Sequence, residues 1–212
     1  MIKSVINNWK QAIGSRTFVV QLSVTMFLLL LLALLIGRFF AYVQSVKGTL
    51  LNDPLLAMLP AEDMSMIIFP LIYGAIAIGL IHLSVFPDRM LRAAQAYVLL
   101  TLMRMLTLFL FPLEPDRSIV VLNDAFVDLL FYDNRLITKD LFFSGHVSVI
   151  VMLAMASKNF FIKRILGTIA SIVGLSLLIQ HAHYSIDILA APVFAWVSVR
   201  IAEKIPQATP VG

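Results

Sequence analysis

Cysteine is missing from this chain of 212 residues, so disulfides and thiol redox chemistry are excluded. Without cysteine, and with only four histidines, a structural zinc site has almost no ligand set to draw on. Charge is scarce too: 13% of residues are Asp, Glu, Lys or Arg, where a soluble domain carries about 25%. There is no low-complexity stretch, no internal repeat and no long polar linker. What fills the chain instead is apolar sequence. Sixty per cent of residues are hydrophobic and the mean hydropathy is +0.95. These values describe an all-α polytopic membrane protein, read as a single membrane domain over 1–212. The net charge of +4 then reports topology and contact with anionic lipid, and gives no reason to expect a nucleic-acid partner.

Six apolar runs are long enough to be read as transmembrane helices, at about 18–43, 66–86, 91–112, 142–157, 163–181 and 184–202. The fourth is short, which sets its start close to the interface. The first exceeds the roughly 7–15 apolar residues of a signal peptide and is read as a retained span. Six crossings place both termini on one side. Ten Lys/Arg fall in the segments on that side and four in the opposite loops, 45–65, 113–141 and 181–184. The termini are therefore expected in the cytoplasm, and the loops 45–65 and 113–141 at the periplasmic, exterior or lumenal face. Both loops mix turn residues with apolar ones, which fits short interfacial helices or plain loop packing.

Two short motifs fall at that outer face. In "HAHYSIDILAAP", His183 and Asp187 are four apart and share one side of a helix. A carboxylate beside an imidazole fixes its tautomer and raises its basicity. In "KDLFFSGHVSVI", Ser144 precedes an apolar helical run and is a good N-cap. Gly145 lets a ligand approach the backbone, and the first N–H groups of that helix form an anion site suited to phosphate. His146 sits in its first turn. The bland alternatives are an interfacial histidine capping a helix and a chance His–Asp pair. Together the motifs supply two imidazoles beside one anion site. That arrangement can divide phosphoryl transfer into two steps, one imidazole attacking phosphorus and the other protonating the leaving oxygen, with no metal or other cofactor.

Arg104 lies eight residues below Pro112, roughly 12 Å deep, where a cation needs an anionic partner or a wet cavity. It can clamp a phosphate, or it can pair structurally with Asp140. Thr107 is one turn further out, and Lys139 and Asp140 can line the same cavity. His82 reads as structural or interfacial. His181 sits in the outer turn, where it either lines the entrance or, as the simpler reading, is solvated, and Arg38 reads as a snorkelling side chain.

"DLFFSGHVS" followed by "HYSIDILAAP" resembles the type 2 phosphatidic acid phosphatase superfamily, in the branch that contains the sphingomyelin synthases. The motif positions are Asp140, Ser144, Gly145, His146, His183, Tyr184 and Asp187. "RMLTLFLFPLEP" loosely resembles that branch's arginine–threonine segment, through Arg104 and Thr107, and "LNDP" stands where the branch has a proline-rich first motif. The resemblance spans about 100–192. The chain departs from the superfamily's phosphatases in having no Arg-Pro pair, and in having Leu177 after Ser176 where those carry an arginine.

The resemblance implies that His183, oriented by Asp187, attacks a phospholipid donor. His146 protonates the departing diacylglycerol and then activates an acceptor hydroxyl such as that of ceramide. Arg104, Asp140, Ser144, Gly145 and Tyr184 are the expected substrate-binding residues. A lipid phosphate phosphatase on the same fold, with water as acceptor, is the alternative, and a non-catalytic lipid-binding or transport protein is the second. The sequence defines neither the head group nor the acceptor nor the oligomeric state. The lack of added domains leans towards a bacterial inner membrane.

Overall fold

In the computed structural model, which describes residues 2–122 and 137–206, helices follow one another with irregular connections. They are α1 (Ile2–Gly14), α2 (Arg16–Ser45), a 3₁₀ turn at Leu56–Met58, α3 (Ser65–Ser84), α4 (Pro87–Leu110), α5 (Gly145–Ala156), α6 (Phe160–Ile179) and α7 (Ser185–Glu203). No strand occurs among the described residues beyond a single bridge between Thr49 and Leu113. The chain is an all-helical, multi-pass integral membrane protein: α2, α3, α4, α6 and α7 are each long and apolar enough to cross a bilayer.

The expected fourth span differs. α5 has 12 residues, about 18 Å of helix against a hydrocarbon core of about 30 Å. Its apolar run extends back to Phe142, but Phe142 and Phe143 are not helical. Their rings pack on Phe194 of α7 instead, Phe143 stacking on it at 4.1 Å. Hydrophobicity at these two positions serves packing, so the run is longer than the helix.

α5 is the hub, touching α3, α4, α6 and α7, whereas α2 leans on α4 and α1. Small residues let the helices close up, as expected where lipid offers no hydrophobic drive. Ala191, Ala195 and Ala202 line a buried face of α7. A side chain at Gly79 would press on Leu153 at 3.0–3.3 Å. Ile68, Leu100, Val147, Ile150, Leu166, Val173 and Leu177 complete the main core.

Helix boundaries follow local chemistry. Pro87 starts α4 where its missing N–H costs nothing. Asn159 Oδ1 caps α6 by accepting from Phe161 and Ile162 N–H. The end of α6 is a Schellman motif, in which Ala182 N–H donates to Leu177 and His181 N–H to Leu178. His181 takes the left-handed position, φ 54°, where glycine is usual.

α1 was not foreseen as an element. Val5, Ile6, Trp9 and Ile13 recur at helical spacing, and Trp9 Nε1 donates to the Ser84 carbonyl at 2.7 Å. It therefore lies across the end of the bundle opposite the α5 N-terminus. The apolar stretch of the second expected interfacial loop falls largely on residues 123–136, outside the described residues.

Candidate active site

Three segments converge at the N-terminus of α5. α4 brings Arg104 and Thr107, residues 140–146 bring the turn into α5, and residues 181–187 bring the turn into α7. The two imidazoles meet there: the His146 and His183 rings are 6.3 Å apart between centroids and inclined at 70°. His183 is 2% exposed and Asp187 fully buried, while His146 is half-buried.

The expected His183–Asp187 contact is present. His183 Nδ1 lies 3.3 Å from Asp187 Oδ2. The carboxylate can only accept, so Nδ1 carries the proton and Nε2 is left with the lone pair. Asp187 is itself fixed, because the same oxygen accepts the Tyr184 N–H at 2.9 Å as the third residue of α7. The two turns are joined directly, Ser144 N–H donating to the Asp187 carbonyl at 3.1 Å.

Ser144 occupies the N-cap position of α5, but its hydroxyl does not cap. The side chain is fully buried, and Oγ makes no hydrogen bond to any described residue. The capping expectation is corrected, and a buried hydroxyl is instead available beside the α5 N-terminus.

Arg104 pairs with Asp140, and its Nη1 donates to the Phe143 carbonyl at 2.8 Å. These contacts engage two of its five N–H donors. Thr107 Oγ1 lies 3.1 Å from the Phe142 carbonyl, so α4 grips both carbonyls of the turn ahead of Ser144. Gly145 is required by this arrangement: a Cβ there would fall 2.1 Å from Arg104 Nη1 and 2.5 Å from Cζ. The guanidinium thus lies against the first residue of α5, and its cationic charge adds to that of the helix end.

The remaining expectations divide. Lys139 does not line the site. It pairs with Glu114 at 2.8 Å and donates to the Val46 carbonyl. Tyr184 is 1% exposed, and its hydroxyl donates to the Glu114 carbonyl at 2.8 Å. His181 is not solvated. At 6% exposure it bonds Leu59 O through Nε2 (3.2 Å) and Ser118 Oγ through Nδ1 (2.7 Å). His82 is at the far end of α3, edge-on to Phe86.

Residues that sequence reasoning passed over hold the connecting loops in place around the site. Gln180, fully buried, accepts from Met64 N–H and donates to Ser65 Oγ. Asp53 accepts from Ser185 N–H at 2.6 Å. Gln44 holds the backbone of Thr138 and Lys139. The two loops are joined to each other where Thr49 exchanges hydrogen bonds with Pro112 and Glu114. The Lys139 ammonium, then the Gly48 N–H, hold the Glu114 carboxyl below its usual range. At Asp116, burial pushes the carboxyl up, but the Ser118 hydroxyl and N–H and His181 together outweigh it and the net shift is downward. Among the described residues no group of three or more His, Asp or Glu is placed to hold a metal ion.

Residues 139–204 match the family model described as PAP2 superfamily C-terminal. That segment carries both histidine motifs and supports membership of the PAP2 superfamily, and with it an enzyme of the lipid phosphatase or phosphotransferase type. No curated protein and no solved structure matches the chain.

Proposed function

We propose that the protein is a membrane lipid phosphotransferase that moves a phospho-head group from a phospholipid to a lipid hydroxyl such as that of ceramide. One observation carries this reading: the two imidazoles meet edge-on at the N-terminus of α5, beside Arg104, and His183 is held by the buried Asp187 carboxylate. In the first step His183 Nε2 attacks phosphorus and the bond to the diacylglycerol oxygen breaks. His146, entering as imidazolium, gives that oxygen its proton. In the second step His146, now neutral, takes the proton of the acceptor hydroxyl. The alkoxide attacks phosphorus, the P–N bond breaks, and its electron pair returns to Nε2. Arg104, the first N–H groups of α5 and the Ser144 hydroxyl stabilise charge on the phosphoryl oxygens, which is where phosphoryl transfer gains most.

The test supplies labelled phosphatidylcholine or phosphatidylethanolamine in lipid micelles, with and without ceramide, alongside His183→Ala. Labelled phosphoceramide that requires both ceramide and His183 supports the transferase. Release of diacylglycerol with water as sole acceptor assigns the same machinery to a phosphatase. If folded protein turns over neither way, the reading fails.

A further inference from the structure

Two helix N-termini, those of α5 and α7, converge on the site, and both are intrinsic anion sites. The end of α7 is already filled. Asp53, 132 residues away in sequence, places Oδ2 on Ser185 N–H at 2.6 Å and Oδ1 on Ser185 Oγ at 3.1 Å. Its own loop holds the carboxylate in place, since Oδ1 also accepts from Leu55 and Leu56 N–H at 3.0 and 3.2 Å. Leu56, 1% exposed, anchors that loop in a small apolar cluster with Leu113, Leu141, Leu178 and Tyr184. Burial pushes the Asp53 carboxyl up, but the Ser185 and loop donors outweigh it and the net shift is downward, so the group is an anion at neutral pH.

We propose that Asp53 is a positioning residue for His183. It fixes the first turn of α7 so that Asp187 meets His183 Nδ1, and it occupies the α7 end so that the α5 end is left as the proposed phosphate site. Among the described residues, the charged and titratable groups near the His183 turn include Asp187 and Tyr184 beside it, His146 on α5, Arg104 on α4 and Asp140 before α5, with the His181–Asp116 pair two residues back along the turn. None of these is removed by a change at Asp53. The inference rests on the proposed nucleophilic role of His183, and its test separates the two.

The test uses the full-length protein in lipid nanodiscs, as wild type, Asp53→Asn and Asp53→Glu. The ionisation of His183 is read by NMR of isotope-labelled histidine, assigned with His183→Gln. kcat and KM are read with labelled phosphatidylcholine and ceramide. Asp53→Asn is expected to lower the His183 pKa and reduce kcat at least tenfold, with KM within twofold. Asp53→Glu is expected to restore most of both. An unchanged His183 ionisation in Asp53→Asn overturns the inference, as does a kcat loss that only tracks the folded fraction in thermal melts. The ionisation is read without turnover, so an inactive wild type would count against phosphotransfer while the NMR shift still decides the role of Asp53.

Discussion

Replacing Gly145 by alanine tests the site with one methyl group. The residue is helical, so the backbone accepts alanine and gains about 1 kcal/mol in helix propensity. The new Cβ, however, would stand 2.1 Å from Arg104 Nη1 and 2.5 Å from Cζ. The guanidinium is the movable partner and must swing away, giving up its bond to the Phe143 carbonyl and its pairing with Asp140. A lost hydrogen bond to a charged group costs about 1.5–3 kcal/mol and a partly exposed ion pair adds little, so the net loss of stability is about 0.5–2 kcal/mol. The kinetic loss is larger. Removing a donor aimed at developing charge costs roughly 100- to 1,000-fold in rate. Gly145→Ala should therefore melt within a few degrees of wild type while phospholipid turnover falls by about two to three orders of magnitude. If the loss runs through Arg104, adding Gly145→Ala to Arg104→Ala should cost almost nothing more. Turnover by Gly145→Ala above about half the wild-type rate would refute the placement of Arg104 at the anion site, and so would full additivity in the double variant.

Asp187→Asn keeps the shape of the side chain and its acceptor for the Tyr184 N–H but loses the charge beside His183; kcat should fall roughly 100- to 10,000-fold with little change in melting. Gly48→Ala would set a Cβ 2.5–2.9 Å from the backbone of Leu113 and Glu114, atoms that cannot step aside; thermal melts should show a loss of about 1–3 kcal/mol as the two loops part. Asp140→Asn leaves Arg104 without its carboxylate and should lower the melting midpoint, and millimolar inorganic phosphate should recover more of it than in wild type by taking that place beside the guanidinium. Acid should loosen the loop cap. Asp53, Glu114 and Asp116 are held below the usual carboxylate range, so their stabilisation is complete above the unfolded-state value of about 4 and is lost as pH falls through the lower folded-state values. The melting midpoint should therefore drop on acidification below about pH 4, and less steeply in Glu114→Gln.

The parts of the site that were legible in the sequence are those with local spacing. His183 and Asp187 are one helical turn apart, and Ser144-Gly145-His146 begins an apolar run, so periodicity alone put each on the end of a helix. The pairing of Arg104 with Asp140 was one of two readings, because a cation at membrane depth demands an anion but does not name it. The structure makes it both the structural partner of Asp140 and the neighbour of Gly145. Asp53, Gln180 and His181 left no comparable signal. Each acts through hydrogen bonds to groups distant in sequence, and a polar residue in a loop looks the same whether it faces water or fastens a helix end. α1 did carry a signal, in Val5, Ile6, Trp9 and Ile13, but its lysines read as the charged flank of a span.

The membrane setting explains why these contacts concentrate at one end. In the described helices, acidic and basic residues cluster near the far end, at Lys3, Lys10, Arg16, Asp88, Arg89, Arg92, Lys163, Arg164, Arg200 and Glu203. Towards the site end the helices carry Arg38, Arg104 and Asp187. Arg104 and Asp187 are shielded from lipid, and each has a polar partner within reach. An ionisable group at such depth is costly unless it is paired. The pairing with Asp140 thus holds the Arg104 charge beside the α5 N-terminus. On the proposed function, an entering phosphate competes with Asp140 for the same guanidinium. On that reading the resting ion pair and the phosphate contact are alternative uses of a single cation, which is why a single methyl group at Gly145 can address both.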